Sequence, residues 1–352
     1  MSGWHPADLA LTAAHETALL APNPAEPEFA ETFNVWLSDP ETNTGFNIHP
    51  RALGGRMVSS ITAFLPDGRI ARANFGDEGG FTDPLRPASA YVALEIVEPF
   101  KHWRVVVGDA PVWLTSDVEQ AAGLVDLREP SATISFTADI FDAAEPWING
   151  ALLPESRQTM QAPVSWWMGN RLSTGFDPRA FRYDVLVRGQ GMIHFEGRDY
   201  PMDGVGLRGH VRGVRRVAGM IAHCWSEGLS PDGRRGFGST MFVRDGGGYE
   251  HSEAFLLQDG VRYPARTITT PHLNRDSANP HSVYELACDA LGLVRIEAED
   301  LRQFWWRMEG WGAPAPIRYG ADRDAPLLMK QGIARYRWPD GTLGYGLQER
   351  SG

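Results

Sequence analysis

From Phe33 onward the chain is dominated by short runs in which apolar and polar positions alternate. ETFNVWLSD, RMVSSITAFL, RIARANF, AYVALEIVE, HWRVVV and ATISFTADIF are rich in Val, Ile, Thr and aromatic residues and are separated by Gly, Pro, Asp or Asn. That pattern predicts strands with one face turned to a core. Pro66-Asp67-Gly68, Pro231-Asp232-Gly233 and Pro339-Asp340-Gly341 each stand between such runs. Proline presets the second position of a turn and glycine accepts positive φ, so all three predict hairpin turns. The alternation resumes at Phe181: RYDVLVRGQGMIHFEGRDYPMDG reads as a hairpin tipped by Glu196-Gly197. Further strands follow in GMIAHCWSEG, RGFGSTMFVRD, YEHSEAFLLQDG, VYELACDA, LVRIEAED and ARYRWPDGTLGYGLQER.

Two stretches lack this pattern. PADLALTAAHETALL has the apolar spacing and helix-forming residues of a short helix, which the three prolines of APNPAEPE end. Residues 142 to 180 lose the alternation, carry four prolines and read as a linker or a lid. The reading is therefore all-β, with a short N-terminal helical arm (1–30), a first antiparallel β domain (31–145), a connecting segment or lid (146–180) and a second antiparallel β domain (181–352). Barrel and sandwich closures fit the pattern equally.

Length agrees with two domains, because a chain of 352 residues exceeds the ~250–300 at which single cores stop growing. The content of 43% hydrophobic and 11% aromatic residues, with a mean hydropathy of -0.29, describes a soluble globular protein. No apolar run is long enough to span a bilayer, and the N-terminus lacks the cation that precedes a signal peptide's apolar stretch. Cys224 and Cys288 alone make no disulfide framework and no thiolate metal site, which suits the cytoplasm. No metal is expected, since the ten His form no His-x-His or His-Glu-x-x-His cluster. A net charge of -11 argues against a nucleic-acid partner. Gly-x-Ser-x-Gly is absent, and the glycine-rich pieces lack the strand-to-helix setting of a phosphate loop. A homodimer is compatible with the sequence and is not decided by it.

The acidic chain nevertheless gathers four arginines into GVGLRGHVRGVRR, residues 204 to 216. This segment, with Tyr183 and Gly189 before it and DGTLGYGLQER at the end, resembles the tandem lipocalin-like family that includes AttH proteins and hydroxyneurosporene synthase, the carotenoid hydratase. Gly204, Gly206, Arg208, His210, Gly213 and Arg215 match the family's central signature, and Asp340, Gly341, Gly344, Tyr345, Gly346 and Glu349 its closing one. VWLSDPETNTGFNIHP and EPFKHWRVVVGDAP have the look of its first domain. The resemblance implies two lipocalin-like domains in tandem and an isoprenoid, steroid or similar substrate that gains or loses water, isomerises or cyclises. There are departures: Gly209 stands where relatives often carry Asp, Val211 for Ser, Arg212 for Trp, and Asp184-Val185 for Glu-Gln. Another carboxylate must then replace the acid missing at Gly209.

Strand alternation puts Arg208, His210 and Arg212 on one face, either solvated or lining a pocket where arginine forks grip an oxygen and histidine exchanges a proton. In GMIAHCWSEG, His223, Trp225 and Glu227 share a face, so a base, a flat apolar wall and a carboxylate fall in line. The alternative is a core Trp with His and Glu reaching solvent. Tyr249, His251 and Glu253 repeat the pattern or form an exposed hairpin face, and Trp166-Trp167 offer an aromatic lid or linker packing. The resulting expectation is a cofactor-independent enzyme with His210, Glu227 and His223 catalytic. Arg208, Arg212, Trp225, Trp166, Trp167 and Tyr249 would bind a small hydrophobic oxygenated ligand. A non-catalytic lipophilic binding protein is the alternative.

Overall fold

The computed structural model describes residues 11–20, 29–53, 55–125, 128–148, 152–153, 181–214, 220–244, 249–271, 279–307, 319–322, 324–325 and 327–352. The first ten-stranded antiparallel sheet contains β1 (Phe29–Asp39), β2 (Thr44–Leu53), β3 (Arg56–Phe64), β4 (Arg69–Glu78), β5 (Val92–Glu98) and β6 (His102–Ser116). After α1 (Asp117–Ala122) and β7 (Leu124–Val125) it continues with β8 (Ala132–Asp142), β9 (Trp147–Ile148), β10 (Phe181–Phe195) and β11 (Arg198–Val214). The second sheet is built from β12 (Met220–Leu229), β13 (Arg235–Arg244), β14 (Tyr249–Gln258), β15 (Val261–Thr269) and β16 (His281–Cys288). It is completed by β17 (Gly292–Arg307), β18 (Tyr319–Gly320), β19 (Leu328–Arg337), β20 (Leu343–Ser351) and the short β7.

Alternation makes these strands. In β8, Ile134, Phe136, Ala138 and Ile140 are buried and the residues between them are not. The three Pro-Asp-Gly segments turn as expected: Gly68, Gly233 and Gly341 have φ of 91°, 74° and 85°. In each, the Asp side chain accepts the backbone N–H two residues on. Glu196 and Gly197 form the predicted hairpin tip with φ of 50° and 71°.

In both sheets the pairing returns to its start. β10 bonds β8 on one side and β11 on the other, while β11 also bonds β1, from Phe29 opposite Val214 to Ser38 opposite Val205. In the second sheet β16 bonds both β15 and β17, and β12 bonds both β13 and β20. Such closure leaves the long strands of each circuit with partners on both edges. The sheets divide later than the sequence pattern placed the break. β10 and β11, read as the opening of a domain at 181, belong to the first sheet because β1 takes β11 as its second partner. Chain packing gives the same two units: Met1–Leu114, Arg128–Asn149 and Gln161–Arg216 form one, and Thr115–Leu127, Gly150–Met160 and Val217–Gly352 form the other.

The helical arm also differs from its reading. Within residues 11–20 only Ala13–His15 form a 3-10 turn. The carbonyls that would continue a helix bond to side chains of β11 instead.

Candidate active site

Arg208, His210 and Arg212 lie on the face of β11 that carries the first unit's core. The register sets Arg212 against Glu31 and Phe181, His210 against Phe33 and Tyr183, and Arg208 against Val35 and Val185. All three are at most 2% exposed. Their bonds go to the N-terminal segment and to carboxylates beside it. Arg208 forks onto Asp142 with two contacts of 2.6 Å, reaches Glu16 at 3.0 Å and stacks its guanidinium 4.1 Å from the Trp103 ring. Tyr183 and Trp103 each donate to the same Glu16 carboxylate at 2.6 Å. Arg212 donates to Glu31 and to the carbonyls of Ala14 and Thr17. His210 sits 2.9 Å from Glu31 Oε1 and 2.8 Å from the His15 carbonyl, stacked on Phe33.

Burial governs the protons in this cluster. It pushes His210 down to about 4, against the pull of Glu31, so the imidazole holds one ring proton at neutral pH. For Glu31 burial acts upward but is outweighed by the hydrogen bonds and charges of His210 and Arg212, and the carboxyl lies below its usual range. Glu16 is raised by burial, with Arg208 opposing, so it takes a proton before Glu31 does. Arg208, His210 and Arg212 thus hold residues 14 to 19 in place, with Glu31.

On the opposite face of β10 and β11 a buried carboxylate lies beside Gly209. Asp184 pairs directly across from Gly209, and a Cβ on that glycine would stand 2.5 Å from Asp184 Oδ1. The acid is fully buried, held by Arg182 at 2.9 Å. Buried Asn47, donating to Asn34 at 2.6 Å, lies near on β2 and β1.

In the second unit, the face of β12 bearing Ala222, Cys224 and Ser226 points to the apolar core around Phe237, Tyr284 and Tyr336. The other face carries His223, Trp225 and Glu227, at most 7% exposed. Trp225 donates its indole N–H to Glu227 at 2.9 Å. His223 stands 2.5 Å from Glu349 Oε1 through Nε2 and 3.0 Å from Ser351 Oγ through Nδ1. Register extends this row: Trp225 lies opposite Thr240, which lies opposite Glu253, and on the other side opposite Glu349, which lies opposite Gln331. Glu253 is fully buried and accepts the backbone N–H of Leu152 at 3.0 Å. Glu349 also takes a bond from Gln331. Three buried carboxylates and an imidazole can hold, pass and return protons.

The structure assigns the predicted residues to different units. Arg208, His210 and Arg212 fall in the first, and His223, Trp225 and Glu227 in the second. β11 and β12 are not hydrogen-bonded partners: β11 pairs with β1 and β10, β12 with β13 and β20. Trp166 and Trp167 lie outside the described residues, as do the side chains of Tyr249 and His251. Sequence reading missed Asp184 and Glu349 as site residues. The signal for each was cross-strand pairing with a residue already singled out. Among the described residues no His, Cys, Asp and Glu group could hold a metal, and no helix is long and apolar enough to cross a membrane.

No family model matches the chain, and no curated protein matches its sequence. Solved structures do. An AttH-type protein (NE1406) of Nitrosomonas europaea superposes with a TM-score of 0.57 at 12% identity, covering 92% of each chain. Kievitone hydratase of Nectria haematococca superposes with a TM-score of 0.52 at 9% identity, covering 97% of this chain and 92% of that one. The chain shares the fold of these proteins. The architecture expected from the family resemblance is therefore present, and identities this low carry the fold alone.

Proposed function

We propose that the protein is a cofactor-independent enzyme that adds water to, or removes it from, a small hydrophobic oxygenated molecule of the isoprenoid or steroid kind. Isomerisation and cyclisation are open to the same groups. One observation carries the reading: His223, Glu227, Glu253 and Glu349 are buried together on the core-remote face of the second sheet. Buried ionisable groups are costly, and their concentration is a mark of functional sites. Glu227, oriented by Trp225, donates a proton to an alkene or a departing hydroxyl. His223, linked to Glu349 and Ser351, receives one and relays it. The indole face of Trp225 shelters cationic character in the substrate. Arg208, His210 and Arg212 serve the first unit by holding residues 14 to 19. The fold shared with a hydratase supports this reading, and the free, buried Cys224 and Cys288 support a cytoplasmic location.

The test is incubation with hydroxylated and unsaturated terpenoids and steroids in isotopically labelled water, read by mass spectrometry. Gain or loss of one water, or a shifted double bond, is expected. Glu227→Gln should slow turnover by roughly 10²–10⁴ with the fold intact. Binding of ligands that always return unchanged would make the protein a carrier instead.

A further inference from the structure

The core side of the second sheet holds a polar row that the proposed acid–base face does not use. Trp305 lies opposite Lys330, Lys330 opposite Arg350, and Arg350 opposite Cys224, so the four side chains share the face that carries the apolar core. Asp300 accepts from both Lys330 and Arg350. Two cations thus share one carboxylate. Asp117, which also acts on Lys330, is already engaged by Arg302 at 2.7 Å. Burial lowers the Lys330 ammonium's pKa, with Asp300 opposing and the neighbouring Arg350 adding to the shift.

Among the described residues three polar atoms here have no partner although their residues are at least nine-tenths buried: the indole N–H of Trp305, Nε–H of Arg350 and Oε1 of Gln348. Gln348 belongs to the next row, where it lies opposite Ser226 and donates to Tyr284 at 2.9 Å. Buried polar groups in folded proteins are nearly always bonded, so unsatisfied donors and acceptors gathered in one place need an explanation. Two donors beside surplus positive charge suit an anionic oxygen. An acceptor one row away suits a hydroxyl on the same molecule. The rings of Tyr284, Tyr336 and Phe237 supply an apolar wall.

We infer that the core side of the second sheet binds a small amphipathic acid, its carboxylate or acidic enol oxygen taken by Lys330, Arg350 and Trp305 and its hydroxyl by Gln348. The site lies on the face of the strands opposite His223 and Glu227, and it stands or falls separately from the catalytic reading.

The experiment uses the full chain and the fluorescent aromatic anion 8-anilinonaphthalene-1-sulfonate, with the uncharged N-phenyl-1-naphthylamine as comparison. Saturable binding of the anion is expected. Trp305→Phe keeps the ring and removes only the N–H, and Arg350→Met removes the charge. Each should weaken anion binding roughly tenfold, the value of one hydrogen bond to a charged group. Binding of the uncharged probe should change far less. If Arg350→Met fails to fold, Trp305→Phe alone decides. Absence of saturable binding, or equal affinity in wild type and Trp305→Phe, would overturn the inference and leave these atoms to enclosed water.

Discussion

Arg212 is the residue on which the docking of the N-terminal segment most depends, and its replacement by methionine is a direct test of that role. The change keeps an unbranched apolar stem and removes the guanidinium. Lost with it are two bonds to Glu31 Oε1, of 2.9 and 2.6 Å, and the bonds to the carbonyls of Ala14 and Thr17. Glu31, 2% exposed, keeps only His210 and the backbone N–H of Leu19 as partners. Removing one member of a buried ion pair costs about 3–5 kcal/mol, because the partner's charge stays out of water. For a unit of this size that is a fall of about 6–20 °C in the unfolding midpoint of the first unit. Calorimetry measures the midpoint, and hydrogen exchange at residues 13 to 19 reports the segment. Arg212→Lys, which keeps the charge without the fork, should fall between. In the double variant Arg212→Met/Glu31→Gln, part of the loss should return, since no unpaired carboxylate remains. A loss below ~1 kcal/mol with unchanged exchange would refute the claim that this arginine holds the segment, since surface pairs alone are worth that little.

Two further outcomes follow from the same geometry. His210 titrates at about 4 in the fold and near 6.5 in an unfolded chain. The unfolded state therefore binds more protons between these values, so the stabilisation is complete above about pH 6.5 and is lost as pH falls towards 4, about 3 kcal/mol in all. Denaturant unfolding across that range should show the slope in wild type and a flatter one in His210→Asn; equal slopes would show that another group titrates. For the carboxylate beside Gly209, Asp184→Gly should cost about 3 kcal/mol by removing the anion of its buried ion pair with Arg182, which is 3% exposed. Moving the acid across the ladder, as Asp184→Gly with Gly209→Asp, should recover a substantial part, and no recovery would mean the two positions are not equivalent.

What could be read before any fold was known was what depends on near neighbours. A strand's period of two and the φ demands of a Pro-Asp-Gly turn are properties of a few consecutive residues. The β segments, the three turns and the hairpin tip at Glu196-Gly197 were therefore legible. So was the sharing of a face by Arg208, His210 and Arg212, and by His223, Trp225 and Glu227. Local spacing says which side chains lie together on a strand. It does not say what meets them.

The rest came from contacts between residues far apart in the chain. That β10 and β11 complete the first sheet follows from β1's need for a second partner, more than a hundred residues away by sequence number. Helical spacing in the arm was overridden because buried arginine and histidine bond its carbonyls, a stronger constraint than the propensity of a short helix in water. Asp184 beside Gly209, and Glu349 against His223, are products of register, and the pairing of strands is fixed by tertiary packing. Periodicity thus determined the faces, and only the closed circuits decided which charges those faces would meet.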